Sequence, residues 1–110
     1  MPAMVKILYW RRELPPLSEQ IEGEHEVTAD SAKVHVSWAD RDTLWSRCHD
    51  DLMVQARARI TQEVVRLGGS CAHIVDEAVT ARRDEHTGES WLHGRFRFVL
   101  YVHPPDVATS

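Results

Sequence analysis

The sequence of 110 residues has only two cysteines, Cys48 and Cys71. Two cysteines are too few for a disulfide framework in a chain of this size, so we expect both to be free thiols. No run approaches the roughly 18 consecutive apolar residues that a membrane-spanning helix needs. The amino terminus also lacks the apolar core of a signal peptide. We therefore expect a soluble, cytoplasmic protein with no membrane partner.

Positive charge is scarce as well, because 13 lysines and arginines are outnumbered by 17 aspartates and glutamates, for a net charge of −4. Nonspecific binding to a phosphate backbone needs a broad basic surface, so nucleic acid is not expected as a partner. The sequence contains neither a nucleophile elbow nor a phosphate-binding loop. Because spacing alone assembles no nucleophile, base and orienting group, an enzyme is the least favoured class.

The chain is long enough to form one domain over residues 1–110, since it can bury roughly two-thirds of its unfolded surface. A strand is predicted over Met4–Trp10, where aliphatic and aromatic residues cluster. Residues 11–30 are expected to be an irregular connection, because they combine Pro15-Pro16 with an acidic run; a short strand over Val27–Ala29 is the alternative. A frayed tail is expected over residues 104–110.

Apolar residues recur at helical spacing between Asp40 and Gly68. They are Leu44, Trp45, Cys48, Leu52, Ala56, Ile60, Val64 and Leu67. Asp40 is a suitable N-cap, and Gly68-Gly69 is typical of a helix end. The pattern predicts one amphipathic helix of about 27 residues, which is about 40 Å long.

In three segments, apolar and polar residues alternate with the period of two that is typical of strands. Residues 33–39 predict a half-buried strand, and residues 70–83 and 90–103 predict a hairpin joined by a polar loop at 84–89. In the last strand the core face comprises Leu92, Gly94, Phe96, Phe98, Leu100 and Val102. The predicted fold is α+β, with the long helix packed on an antiparallel sheet of three to four strands.

The first hairpin strand is less regular than the second. Ala72, Ile74, Ala78 and Thr80 are assigned to its core face. Because Asp76 falls on the same face, a bulge or the end of the strand is expected near Asp76-Glu77.

A possible metal site follows from the hairpin. In this hairpin, facing positions have numbers that sum to about 172, which places Cys71, His73, Tyr101 and His103 together on the sheet face away from the helix. Cysteine and histidine are ligands that zinc or copper prefers, so Cys71, His73 and His103 are predicted to bind a divalent transition metal. The alternative is a pair of solvated histidines beside a half-buried thiol.

The same sheet face carries enough apolar side chains to need a cover: Val75, Val79, Trp91, Val99 and Tyr101. The candidate covers are the amino-terminal strand with its loop, a second copy of the chain, or a flat ligand stacked on Trp91. Arg95 and Arg97 beside Trp91 predict binding of an anion or nucleotide; alternatively, acidic neighbours on the next strand such as Glu77 neutralise them.

The segment Leu67-Gly68-Gly69-Ser70-Cys71-Ala72-His73-Ile74-Val75, with the long helix before it and the hairpin after it, resembles small bacterial proteins of a heavy-metal-binding family. The match departs at the inserted Ser70-Cys71. The order strand, helix, strand, strand is also similar to that of dodecins, whose oligomers stack flavins on tryptophan. Both resemblances imply a ring or shell of subunits.

Together these features favour a small, self-associating, non-enzymatic domain that binds a metal ion or small ligand on its sheet face. The alternative is a protein-protein interaction module that binds no ligand.

Overall fold

The computed structural model describes residues 6–35 and 40–102. They form five elements: β1 (Leu8–Trp10), β2 (Glu19–Asp30), α1 (Arg41–Arg66), β3 (Cys71–Arg83) and β4 (Ser90–Val102). The strands build one sheet in the order β1-β3-β4-β2, and α1 packs against one of its faces. The predicted α+β fold with a C-terminal hairpin is confirmed. The sheet is mixed, because β1 pairs in parallel with β3 whereas the three longer strands are antiparallel.

The predicted helix is confirmed, with the expected cap at its start. The Thr43 backbone N–H donates to Asp40 Oδ1 at 3.1 Å, which satisfies one of the free amides of the first turn. One buried stripe follows the predicted spacing: Leu44, Cys48, Leu52, Ala56, Ile60 and Val64. Trp45 is not part of it, because its ring is exposed and stacks on His49 at 4.4 Å. Among residues 6–35 and 40–102, no helix is long and apolar enough to cross a membrane.

The helix ends at the two glycines, as predicted. Gly68 has a φ of 77°, a left-handed conformation that glycine adopts without steric cost. The Gly68 N–H donates to the Val65 carbonyl at 3.2 Å, and the Gly69 N–H donates to the Val64 carbonyl at 2.9 Å. This pair of hydrogen bonds is the Schellman motif, which returns the chain toward β3.

The core lies between α1 and the inner face of β4, here called the helix face of the sheet. Phe96, Phe98 and Leu100 have no exposed surface, so the predicted core face of this strand is confirmed. Gly94 leaves room for the Phe96 ring, because a Cβ at Gly94 would lie 2.6 Å from the Phe96 Cε2. Trp10 of β1 meets Phe96 edge to face, with ring centroids 6.0 Å apart.

The expected irregularity in β3 is a bulge at Val75. Ile74 pairs with Phe98, but Asp76 pairs with Arg97, so Val75 has no partner in the register. One extra residue reverses the facing of every later side chain. Ala78 and Thr80 were predicted on the helix face, and this is wrong: they share the opposite face with Arg95 and His93, which are their register partners.

The same reversal corrects the assignment of Val79. It was predicted on the sheet face away from the helix, whereas it pairs with Gly94 and packs against the core together with Ala81. The bulge thus removes one apolar side chain from the face that needed a cover.

The prediction of an irregular connection over residues 11–30 is wrong for its second half. Residues 19–30 form the 12-residue strand β2, paired antiparallel with β4. Its glutamates suggested a loop, but Ile21, Val27 and Ala29 reach the core from alternate positions while the acidic side chains stay exposed. A second bulge sets residues 22–24 opposite Val99 alone, and Gly23 supplies the left-handed φ of 105° there.

Other predictions fall partly outside the described residues. For the strand predicted over residues 33–39, the structure describes a single antiparallel bridge between Val34 and Ser90; residues 36–39 lie outside it. Met4, Val5, His103 and the predicted tail at 104–110 also lie outside the described residues.

Candidate functional site

The candidate site is the sheet face opposite α1, called here the outer face. Strand alternation and the β3 bulge give it two ends with different chemistry. Tyr9, His73, Val99 and Tyr101 lie at one end, the aromatic end. The other end, the charged end, carries polar and charged residues of β2, β3 and β4 and finishes at Trp91.

At the aromatic end, the structure confirms the predicted pairing. Cys71 pairs with Tyr101, and His73 pairs with Val99 and, on its other side, with Tyr9. Cys71 has no exposed surface, and burial raises the pKa of its thiol above the ordinary value. A raised pKa disfavours the thiolate form, which is the form that binds metals.

His73 contacts the loop that follows β1. Its Nε2 donates a hydrogen bond to the Arg11 carbonyl at 2.8 Å; since a carbonyl only accepts, Nε2 carries the proton. Arg11 has a φ of 47°, unusual for a residue with a side chain. The Arg11 N–H also donates to the Ile74 carbonyl at 2.8 Å. His73 therefore helps to hold a strained turn against the sheet.

The predicted metal set is only partly within the described residues. Cys71 and His73 lie on the same face of β3, as expected, while His103 lies outside the described ranges. Within those ranges, no three histidine, cysteine, aspartate or glutamate side chains are grouped so as to hold a metal ion. The metal site stays a prediction.

Residues 11–18 form a proline loop that reaches over the aromatic end. Glu13 shapes its start: the carboxylate accepts from the Trp10 N–H at 2.9 Å and pairs with Lys6. The Lys6 hydrogen bond, then the Trp10 amide, lower the pKa of Glu13. Farther along, Leu14 through Ser18 enclose a cleft of about 340 Å³ with His73 and Tyr101. The amino-terminal loop is therefore one cover of this face.

The two leucines of the proline loop point away from the chain's own core. Leu14 is 81% exposed and Leu17 is fully exposed, although both are large apolar side chains. They flank Pro15-Pro16, whose rings restrict the backbone. The aromatic end thus presents a cleft whose wall includes two largely exposed leucines in a restricted loop.

At the charged end, the predicted ligand residues Trp91, Arg95 and Arg97 lie on the outer face as expected. Each of the two arginines has a carboxylate nearby, but in neither case is it that of Glu77. Arg97 donates to Asp76 at 3.0 Å, and Arg95 Nε lies 3.5 Å from a Glu26 oxygen. Glu77 pairs with Phe96 on the helix face instead, because of the bulge.

Trp91 is also engaged by neighbouring side chains. Its indole Nε1 donates to Asp30 Oδ1 at 3.1 Å, and Lys33 Nζ lies 4.6 Å from the ring centroid, at cation–π distance. The same Asp30 oxygen accepts from His93 Nδ1 at 2.8 Å. Asp30 therefore orients both rings.

Between these ion pairs lies a hollow of about 180 Å³ that spacing did not reveal. Its lining comprises Ala78, Thr80, Arg82, His93 and Arg95. Thr80 was not predicted as a site residue, because simple alternation assigned it to the core face. Asp76, which marked the bulge, was the signal that could have placed Thr80 on the outer face.

A third cleft, of about 370 Å³, lies between β2 and α1. Charges of both signs line it, and one of its two arginines, Arg66, binds Glu63, with NH2 2.6 Å from the carboxylate. That hydrogen bond raises the pKa of Arg66 and lowers the pKa of Glu63. Unlike the hollow at the charged end, this cleft has carboxylates among its lining residues.

No family model matches the chain, and no curated protein or solved structure shows significant similarity to it. The resemblances to heavy-metal-binding proteins and dodecins stay predictions. The geometry of the outer face is therefore the guide to function.

Proposed function

We propose that this chain is a non-enzymatic binding module that associates with a second copy of itself through the aromatic end of its outer face. The observation that carries the proposal is that Leu14 and Leu17, both largely exposed, are themselves part of the wall of a cleft of about 340 Å³. The chain thus carries an exposed apolar patch made of the proline loop and the cleft that it borders.

Such a surface suits a twofold dimer. In a symmetric pair each partner offers the same patch, so the exposed leucines of one copy can pack against the leucines and the cleft of the other. Removing a leucine side chain from water contributes about 1.5–3 kcal/mol. Pro15, Pro16 and the His73 hydrogen bond hold the loop in place, which lowers the entropy lost on association.

The test is the oligomeric state of the purified full chain, measured by sedimentation velocity over a range of concentrations. We expect the unaltered chain to dimerise and the double variant Leu14→Ser/Leu17→Ser to be monomeric. The matched control is Val54→Ser/Val65→Ser, which removes two exposed apolar side chains from the helix and should leave the dimer intact.

A monomeric wild-type chain at high micromolar concentration would overturn self-association. In that case the alternative function, an interaction module for another protein through the same two leucines, becomes the leading hypothesis. Unchanged dimerisation in the leucine variant would instead show that another surface mediates the contact.

Metal binding is a second candidate, supported by Cys71 and His73 at successive outward positions of β3. With His103 they form the predicted ligand set for a divalent transition metal. Calorimetric titration with zinc tests it: binding by the unaltered chain, lost in His73→Ala, supports the site, and no heat in the unaltered chain excludes it. We also propose a cytoplasmic location, because the two free thiols of the chain suit a reducing compartment.

A further inference from the structure

We propose that the hollow at the charged end of the outer face binds a small oxyanion of the phosphate class. The site comprises Arg82, Arg95, His93 and Thr80 around Ala78. None of these residues belongs to the proline loop, so this proposal does not depend on self-association.

The β3 bulge creates this site. After Val75 the facing of β3 is reversed, which brings Thr80 and Arg82 onto the outer face beside β4. There Ala78 pairs with Arg95, Thr80 with His93, and Arg82 with Trp91. Ala78 is small and its neighbours are longer, so the space above it stays open. Ala78 is therefore the floor of the hollow.

The chemistry of the lining favours an anion. Two guanidinium groups and a hydroxyl supply donors, and no carboxylate is among the residues that line the hollow. Arginine binds phosphate and carboxylate groups in a fork of parallel hydrogen bonds. The two arginines differ in their existing ion pairs. A Glu26 oxygen lies 3.5 Å from the Nε of Arg95, whereas no ion pair is seen for Arg82 within the described residues.

The neighbouring ion pairs position the site and leave its centre open. His93 is held by its Nδ1, which donates to Asp30 at 2.8 Å, so the orientation of the ring is set from outside the hollow. Arg97 is held on the far side by Asp76 at 3.0 Å and does not line the hollow. The proposed site therefore includes Arg82, whereas Arg97, which the sequence predicted as a ligand residue, lies outside it.

The dimensions restrict the ligand. A volume of about 180 Å³ is below the roughly 300–1,000 Å³ of pockets that enclose drug-sized molecules. A phosphate group fits this scale, either as the free ion or as the terminal group of a larger molecule. Because the site is open to water, we expect weak binding that weakens further as ionic strength rises.

The experiment is an NMR titration of the full chain with inorganic phosphate, following backbone amide shifts, with sodium chloride at matched ionic strength as the reference. We expect saturable shifts confined to residues 78–82 and 93–95. A parallel titration with phenyl phosphate separates the two sources: tighter binding that also shifts the Trp91 indole favours a phosphorylated molecule, and equal binding favours the free ion.

Arg82→Gln and Thr80→Val test the residues, with Arg83→Gln as the matched control. Arg83 is the next residue of β3 after Arg82 and carries the same charge, but strand alternation places it on the helix face of the sheet. We expect Arg82→Gln to weaken phosphate binding about tenfold and Thr80→Val about threefold, with Arg83→Gln unchanged.

Equal weakening by Arg82→Gln and Arg83→Gln would overturn the proposal, because it would show that phosphate responds only to net charge. Shifts no larger than those caused by chloride would also overturn it. Repeating the titration on Leu14→Ser/Leu17→Ser separates the two proposals, since phosphate binding should persist there whether or not the chain dimerises.

Discussion

The two faces of the sheet are built from the same strands but in opposite ways. On the helix face, Phe96, Phe98 and Leu100 have no exposed surface and pack under α1. On the outer face, Arg95 and Arg97, which alternate with Phe96 and Phe98 on β4, are about half exposed and form ion pairs with adjacent strands. Neighbouring positions of one strand therefore have different roles.

The helix face supplies most of the stability of the fold, whereas the outer face carries the candidate binding groups. Apolar burial at one face contributes about 1.5–3 kcal/mol per large side chain, whereas exposed ion pairs contribute about 0–1 kcal/mol each. The outer face can thus carry binding groups with little effect on folding. Measurements that contrast adjacent residues of β4 test this division directly.

The largest expected effect is that of Phe96→Ala. Removing a fully buried ring leaves a cavity under α1 and should lower the free energy of unfolding by about 3–5 kcal/mol. Urea denaturation followed by circular dichroism measures it. Arg95→Ala, the adjacent outward position, should change stability by less than about 1 kcal/mol. Similar losses in both variants would contradict the assignment of faces.

An intermediate effect is expected at Cys71, which belongs to the outer face by alternation yet is fully buried. Burial raises the pKa of its thiol, so the folded chain keeps this proton to higher pH than the unfolded chain. Stability from this group is complete below the unfolded pKa and declines as pH rises above about 8.5, by at most about 1.4 kcal/mol per pH unit.

Comparing the pH dependence of unfolding in the unaltered chain and in Cys71→Ala isolates that group, because the other titrating groups are common to both. The variant should lose less stability between pH 8 and 10, a window set by the raised pKa. Parallel curves for the two proteins would mean that the thiol is as accessible as in the unfolded chain.

The smallest expected effect concerns the ion pair between Arg97 and Asp76. Asp76→Asn should lower stability by less than about 1 kcal/mol, and the loss should shrink in high salt because both side chains are about half exposed. Asp50→Asn, at an exposed position of α1, is the control. A salt-independent loss above about 2 kcal/mol would show that the charged end contributes to folding after all.

Prediction from the sequence succeeded wherever one strong pattern dominated. Asp40 and Gly68-Gly69 marked both ends of α1, and the alternation through Phe96 and Phe98 identified the helix face of β4. These signals are local, since they depend on capping geometry and on the period of one element.

Prediction failed where local preference and tertiary context conflict. Glutamate is disfavoured in strands, which made residues 19–26 look like a connection, yet β2 is an edge strand whose acidic side chains remain in water. Charges along an exposed edge also discourage pairing with other chains, which gives these glutamates a role that composition alone does not suggest.

The candidate sites illustrate the same limit. Aspartate at position 76 signalled a bulge near that point, but only the register shows that Val75 is the extra residue and that Thr80 and Arg82 therefore face outward. The hollow at the charged end depends on this single residue, because one insertion in a period of two exchanges the faces of all later residues of β3.

The sequence by itself determined the long capped helix, the hairpin and the apolar stripe that joins them, because those features arise from interactions between residues close along the chain or periodic within one element. Only the tertiary structure decided that residues 19–30 join the sheet, that the proline loop lies over Tyr101, and which arginine borders the hollow. Those outcomes depend on contacts between distant segments, whose register no local pattern specifies.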